Sequence, residues 1–220
     1  MKRDLIIVGT GDYAECAALY FTEQGKHALL GFAEERAFIT KASFLDQPIF
    51  PFEDLSTTFS AAELTVFVAI GPGRINTVRE RIFLQCAKLG FRLESFIHPL
   101  AYVADPRSIG VNSCVFPFAC VEPGARIGNN CVLWTGSHVA HHSIVGDHCF
   151  FGPGARVSGR SEIRSHCFLG INSTVRDHVV VSERCIIGAG AVIKKSTTPG
   201  RVYSAKPADL LGGDSLDKHI

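Results

Sequence analysis

From Val103 onward, every sixth residue is Val, Ile, Leu or Phe, sixteen times in succession up to Ile193. Four places after these residues, from Ser113 to Ala191, only Ser, Ala, Cys or Val occurs. One large and one small interior residue per six, with Gly, Asn and Asp between them, is the period of a parallel β-helix, whose stacked coils bury one continuous core. The fifteen hexads from 103 to 192 make five coils of three. At the spacing of stacked strands they form a prism about 24 Å tall.

The first hundred residues follow another rule, with short apolar runs alternating with amphipathic stretches. Strands are expected at 4–8, 27–32, 64–70 and 93–97, and helices at 14–23 and 78–89. This amounts to half of a doubly wound α/β domain. The stretch 38–55, which carries Pro48 and Pro51, reads as a loop with a short helical turn. The chain therefore divides into an α/β domain (1–98), a β-helix (99–195) and a cap with a polar tail (196–220), the cap being needed to cover an open coil end.

Charge narrows the partners. Twenty-two basic against twenty-one acidic residues leave a net charge of +1, so no broad field calls for nucleic acid or a membrane surface. The five-residue apolar run near the N-terminus is too short for a signal peptide, and the chain reads as cytoplasmic. Of its eight cysteines, Cys131, Cys149, Cys167 and Cys185 are eighteen residues apart, one full coil. They read as a ladder of core thiols, because a zinc site needs ligands converging on a point.

Gly9-Thr10-Gly11-Asp12-Tyr13-Ala14 lies between the first strand and the first helix. Glycines there let backbone amides and a helix N-terminus approach phosphate oxygens. Glu34 and Glu35, at the end of the second strand, are placed to meet a ribose hydroxyl. Gly71 and Arg74, in the turn after the third strand, close the same crevice. The bland alternative is a tight turn that only packs helix on strand. A nucleotide or diphosphate site is the better reading, and half a domain argues against a redox dinucleotide.

Histidines concentrate the remaining chemistry. His148 and His166 share one register a coil apart and read as a surface stack. His138, His141 and His142 crowd one corner, and at least one of the last two must project into a surface groove.

Taken together, GTGDYAE, SFIHPLAYV, LWTGSHVAHHSIVGDHCFFGPGARVSG, FLGINSTVRD and IIGAGAVIKKS resemble the sugar acyltransferases of the sialic-acid O-acetyltransferase type, which include N-acetyltransferases of nucleotide-linked amino sugars. The resemblance spans nearly the whole chain. It implies a left-handed β-helix, a homotrimer, acetyl-CoA as co-substrate, no metal, and a role in bacterial surface glycans such as the O-antigen of lipopolysaccharide. The acceptor implied is the amino group of a dTDP- or UDP-linked 4-amino-deoxysugar. A sugar O-acetyltransferase and a non-catalytic trimeric nucleotide-binding scaffold are the alternatives. By this resemblance His141 is the general base, and imidazole suits that role near neutral pH. Relatives place a carboxylate directly after this histidine; here His142 stands there, so its orienting partner is open between His142, Asp147 and a backbone carbonyl. The coenzyme is expected along Phe150, Gly159, Ile171 and Ala189, with Lys194 and Lys195 near its phosphates. Zinc is set aside because a β-helix carbonic anhydrase pairs histidines five residues apart, and Glu183 stands five beyond His178.

Overall fold

The computed structural model describes residues 3–207, so the polar tail from 208 on lies outside the described residues. In the N-terminal half, β1 (Arg3–Val8), β2 (His27–Glu34) and β5 (Leu64–Val68) run parallel. Helix α1 (Asp12–Gln24) covers one face of the sheet. On the other face α2 (Leu55–Thr58) and α3 (Thr77–Lys88) meet Ile6, Val8, Val66 and Val68 through Leu55, Ile82 and Cys86. Glycine ends α1: Gly25 takes the left-handed conformation at φ 66° and its amide bonds Thr22 O.

The stretch 38–55 is more ordered than a loop. A hairpin of β3 (Ser43–Phe44) and β4 (Gln47–Pro51) adds to the sheet, β4 running parallel to β2. Its two prolines leave few amides for the ladder, and the strand survives because on its outer side it borders only the two-residue β3. The expected strand 93–97 is split. β6 (Arg92–Leu93) closes the α/β sheet, whereas Phe96–Ile97 pairs with Cys114–Val115 in the β-helix.

From there the chain coils through two-residue rungs that stack into three parallel walls. The large hexad residues from Val115 to Ile193 are buried in one interior cluster with the small ones. The cysteine ladder is as expected, since all eight cysteines are free and these four are fully buried. Three of the thiols also donate to a carbonyl of the next coil: Cys131 to Gly146 at 3.1 Å, Cys149 to Arg164 at 3.2 Å, Cys167 to Ser182 at 3.2 Å. Ser113, Ser143 and Ser161 make the same bond from the same hexad place. The position needs a small side chain, and Ala or Val fills it elsewhere; where Ser or Cys stands, the donor can meet a carbonyl of the next coil.

Each corner turns on one residue with positive φ. Fourteen consecutive hexads, from Asn112 to Gly190, place their fourth residue between +53° and +76°. Glycine fills four of these places; Asn, the short polar residue that tolerates this region best, fills three. His142, His148, His166 and His178 fill four more, so much of the histidine richness serves backbone geometry.

The wall of rungs 96–97, 114–115, 132–133 and 150–151 faces outward with Phe96, Cys114, Val132 and Phe150, and α1 lies on it through Tyr13, Ala17 and Phe21. Tyr20 stacks on Phe96 at 5.6 Å, and Tyr13 lies 6.1 Å from both Phe116 and Trp134. Beside this apolar seam runs a polar one. Val68 donates its amide to Asn112 Oδ1 at 2.7 Å, Asn112 Nδ2 donates to Asn130 Oδ1 at 2.8 Å, and Asn130 Nδ2 meets His148 Nδ1 at 2.9 Å. His148 and His166 are therefore not a surface stack. Helix α3 covers them, with Glu80 3.6 Å from His148 Nε2 and 3.0 Å from His166 Nε2.

Burial holds the His148 imidazole below its ordinary titration range, against the pull of Glu80, and does the same to His27 against Glu94. A folded-state value below the unfolded one, near 6.5, gives stability that is present above about pH 6.5 and lost as pH falls through the folded value. Calorimetry from pH 8 to pH 5 is expected to show a falling Tm, with a shallower fall in His148→Gln. In the coil core, Leu133→Ala is expected to cost about 2–5 kcal/mol in denaturant unfolding.

Candidate active site

Two clusters collect the residues singled out from the sequence. The first is a cleft of about 460 Å³ between the α/β domain and the β-helix, lined by Gly9, Thr10, Gly11, Asp12, Tyr13, Glu34, Glu35 and Gly71 from one side and Trp134 and Phe150 from the other. A narrower recess of about 170 Å³ continues from Thr10, Glu34 and Phe38 to Thr40, Lys41 and Ser43.

The glycine loop divides its roles. Gly9 sits at φ 122°, and a Cβ there would lie 2.6 Å from Ala69 O, so it allows β1 and β5 to close together. Gly11 has open space around it and begins α1 with no side-chain cap, which leaves the helix amides facing the cleft. Ala14 is buried in the seam with the β-helix. Tyr13 is buried there too, and burial pushes its hydroxyl's pKa well up. The two acids also separate. Glu35 takes both Arg81 nitrogens at 2.8 and 2.7 Å, and this pair holds its carboxyl below the ordinary range. Glu34 accepts from the Thr10 hydroxyl at 3.1 Å and stands at the cleft edge. Arg74 is exposed and opens three successive residues of positive φ before α3, and it is not part of the cleft lining.

The second cluster is a corner of the β-helix. His141 Nδ1 lies 3.2 Å from His142 Nδ1, so one ring donates and the other accepts. The two rings rest on glycines one coil away in opposite directions. A Cβ on Gly159 would come within 2.5 Å of the His141 ring, and one on Gly124 within 2.9 Å of the His142 ring. Glu122, not foreseen from the sequence, fixes the corner from below: one oxygen accepts the His141 amide at 2.8 Å and the other meets His138 Nε2 at 2.8 Å. The His141 amide and His138 together hold the Glu122 carboxyl below its ordinary range. Asp147 is engaged elsewhere, accepting the Asn129 amide at 2.6 Å.

The remaining expected positions fall into two columns. Arg160 N bonds His141 O and His178 N bonds Gly159 O, which puts His141 and Gly159 in one column, with Lys194 and Lys195 exposed three coils on. Ile171 and Ala189 belong to the neighbouring corner, where Gly154 N bonds Thr135 O and Gly190 N bonds Ile171 O. Phe150 faces the α/β domain, stacked on Phe168 at 5.5 Å with the Arg79 guanidinium over its ring.

Among the described residues, two groups have the composition of metal ligands: Glu80, His148 and His166, and Cys120, Glu122 and His138. The first does not suit an ion. Asn112 is pinned by both backbone groups of Val68, and it fixes Asn130 to present Nδ2 to His148 Nδ1. His148 Nδ1 is then the acceptor and its Nε2, which faces Glu80, carries the proton.

The bacterial transferase hexapeptide model (six repeats) matches residues 124–159 and 160–195. No curated protein matches the chain. Among solved structures, the acetyltransferase domain of PglB from Neisseria gonorrhoeae is 28% identical over 96% of this chain and 100% of that one, with a TM-score of 0.84. It has also been solved with acetyl coenzyme A. A histidine-to-asparagine variant of perosamine N-acetyltransferase from Caulobacter crescentus, in complex with CoA and GDP-perosamine, is 25% identical over 96% and 97% of the two chains, with a TM-score of 0.83. WeeI from Acinetobacter baumannii shares the fold at 24% identity over 96% and 100%, with a TM-score of 0.77. Repeats and fold alike are those of the hexapeptide-repeat acetyltransferases.

Trp134 is the chain's single tryptophan and lines the cleft. Titration with a nucleoside diphosphate is expected to change its fluorescence, and Glu34→Gln is expected to weaken the apparent Kd about tenfold, the loss of one charge-assisted hydrogen bond. Glu35→Gln is expected to change it less, because Arg81 already holds that carboxylate.

Proposed function

We propose that the chain transfers the acetyl group of acetyl-CoA to the amino group of a 4-amino-deoxysugar linked to dTDP or UDP, with His141 as general base. The observation that carries this reading is the His141 ring, seated over Gly159, oriented by His142 and anchored through its amide by Glu122. With Nδ1–H donated to His142, the lone pair of His141 Nε2 faces outward. It takes a proton from the acceptor nitrogen as that nitrogen attacks the thioester carbon. The Gly159 amide donates to no protein group among the described residues, and in this reading it bonds the oxyanion. Collapse of the tetrahedral intermediate breaks the C–S bond, and the departing thiolate takes the proton back from His141.

In this reading the cleft holds the nucleotide sugar. The α1 amides meet the diphosphate, Glu34 meets a ribose hydroxyl, and the base enters the recess past Phe38. The cleft lining does not include His141, and the wall of rung 138–139 separates their corners. A sugar in the cleft therefore reaches the His141 of a neighbouring copy. We accordingly take the assembly to be a homotrimer of left-handed coils. Acetyl-CoA lies between protomers, with the Gly159 and Lys195 column on one side and the Ile171 and Ala189 column on the other. The PglB domain with acetyl coenzyme A and the perosamine enzyme with CoA and GDP-perosamine support both substrates.

Thiol release from acetyl-CoA with a panel of dTDP-, UDP- and GDP-linked amino sugars tests the reading. His141→Ala is expected to lower kcat at least 100-fold with KM little changed. Gly159→Ala displaces the ring and is expected to do nearly as much at an unchanged Tm. His142→Asp is expected to keep activity and to move the acid limb of the kcat/KM profile upward, since a carboxylate favours the imidazolium. No turnover on any amino sugar, or an active His141→Ala, would overturn the mechanism.

A further inference from the structure

The second ligand group lies beside the proposed base. Cys120 and His138 are paired residues on adjacent rungs, and Glu122 follows Cys120 by two, so all three project from one patch of rigid wall. One atom from each, the Cys120 thiol, a Glu122 oxygen and a His138 ring nitrogen, lie within 4.8 Å of one another. Thiolate, carboxylate and imidazole form a ligand set that zinc accepts, at bond lengths of about 2.0–2.3 Å, so ligand atoms in a tetrahedral site stand roughly 3.3–3.8 Å apart. The group needs only a small opening of the 2.8 Å contact between Glu122 and His138. In the single chain their side chains are 30% and 35% exposed.

We propose that Cys120, Glu122 and His138 bind a divalent zinc-like ion, with water as fourth ligand, and that its binding switches the transferase off. Binding releases the thiol proton to solvent, and the two anionic ligands then balance the ion's charge. The inhibitory effect follows from Glu122, which also accepts the His141 amide. Drawing the carboxylate's other oxygen toward an ion pulls on that amide and shifts the corner carrying the base. The ion is thus an inhibitor, distinct from any cofactor. Its effect on turnover rests on the acetyl-transfer reading above, whereas the binding site does not.

Cobalt(II) added to the full-length chain tests the site without any assay of activity. A near-ultraviolet thiolate-to-cobalt charge-transfer band saturating at one ion per chain is expected, and it should vanish in Cys120→Ser. No band, or an equal band in that variant, would overturn the site even if acetyl transfer were established. Zinc is then expected to inhibit turnover reversibly, with full recovery in EDTA, and Cys120→Ser should need at least tenfold more zinc. Equal inhibition of both proteins would place the ion at His141 and His142 and overturn the inhibitory role. His138→Gln, which keeps the thiol, should weaken cobalt binding and serves as the check if Cys120→Ser folds poorly.

Discussion

One residue in every six must turn the backbone through the left-handed region, and the coiled half depends on that constraint. Between these corners each strand is only two residues long, so no rung holds its place by its own ladder. Corners repeated in strict register let residues eighteen apart stack coil upon coil, large interior residue on large and small on small. The cost of positive φ falls on Phe118, Arg160 and Arg184 as well as on Gly and Asn. A backbone this repetitive tolerates the strain because stacking over-determines each turn.

The proposed chemistry inherits the same register. His141 immediately precedes a left-handed corner residue, so its side chain leaves the wall where the chain bends. Each ring has glycine one coil away on one side, Gly159 beside His141 and Gly124 beside His142, and the rings occupy the space where side chains would otherwise stand. The imidazole is held by an imidazole where a carboxylate is the stronger acceptor, while Glu122 reaches in from the coil below. Charge support thus arrives through the backbone amide of the base instead of through its ring.

Much of this was legible in the chain. The interior period and the thiol ladder rest on spacing, which rigid coils preserve. The seating of His141 over Gly159 is also a matter of counting eighteen. The sixth hexad place carries a further signal: Cys114, Val132, Phe150 and Phe168 are apolar, whereas Arg126 and Glu162 on another wall are charged. That contrast marks the wall covered by α1. Other features lay beyond spacing. Glu122 depends on a side-chain conformation, and the burial of His148 depends on where α3 lands. The strand at Gln47–Pro51 forms against local preference because the edge of β2 is open to it.

The apolar outer wall also bears on how such proteins can be recombined. Phe96, Val132 and Phe150 belong to the same buried cluster as Leu5, Ile7 and Phe67 of the α/β sheet. Neither half presents a finished surface to water along that seam. A chimera joining this α/β domain to a foreign hexapeptide coil would need the outward residues of one wall transplanted with it. Modularity in this architecture therefore follows faces of the prism as well as positions along the chain.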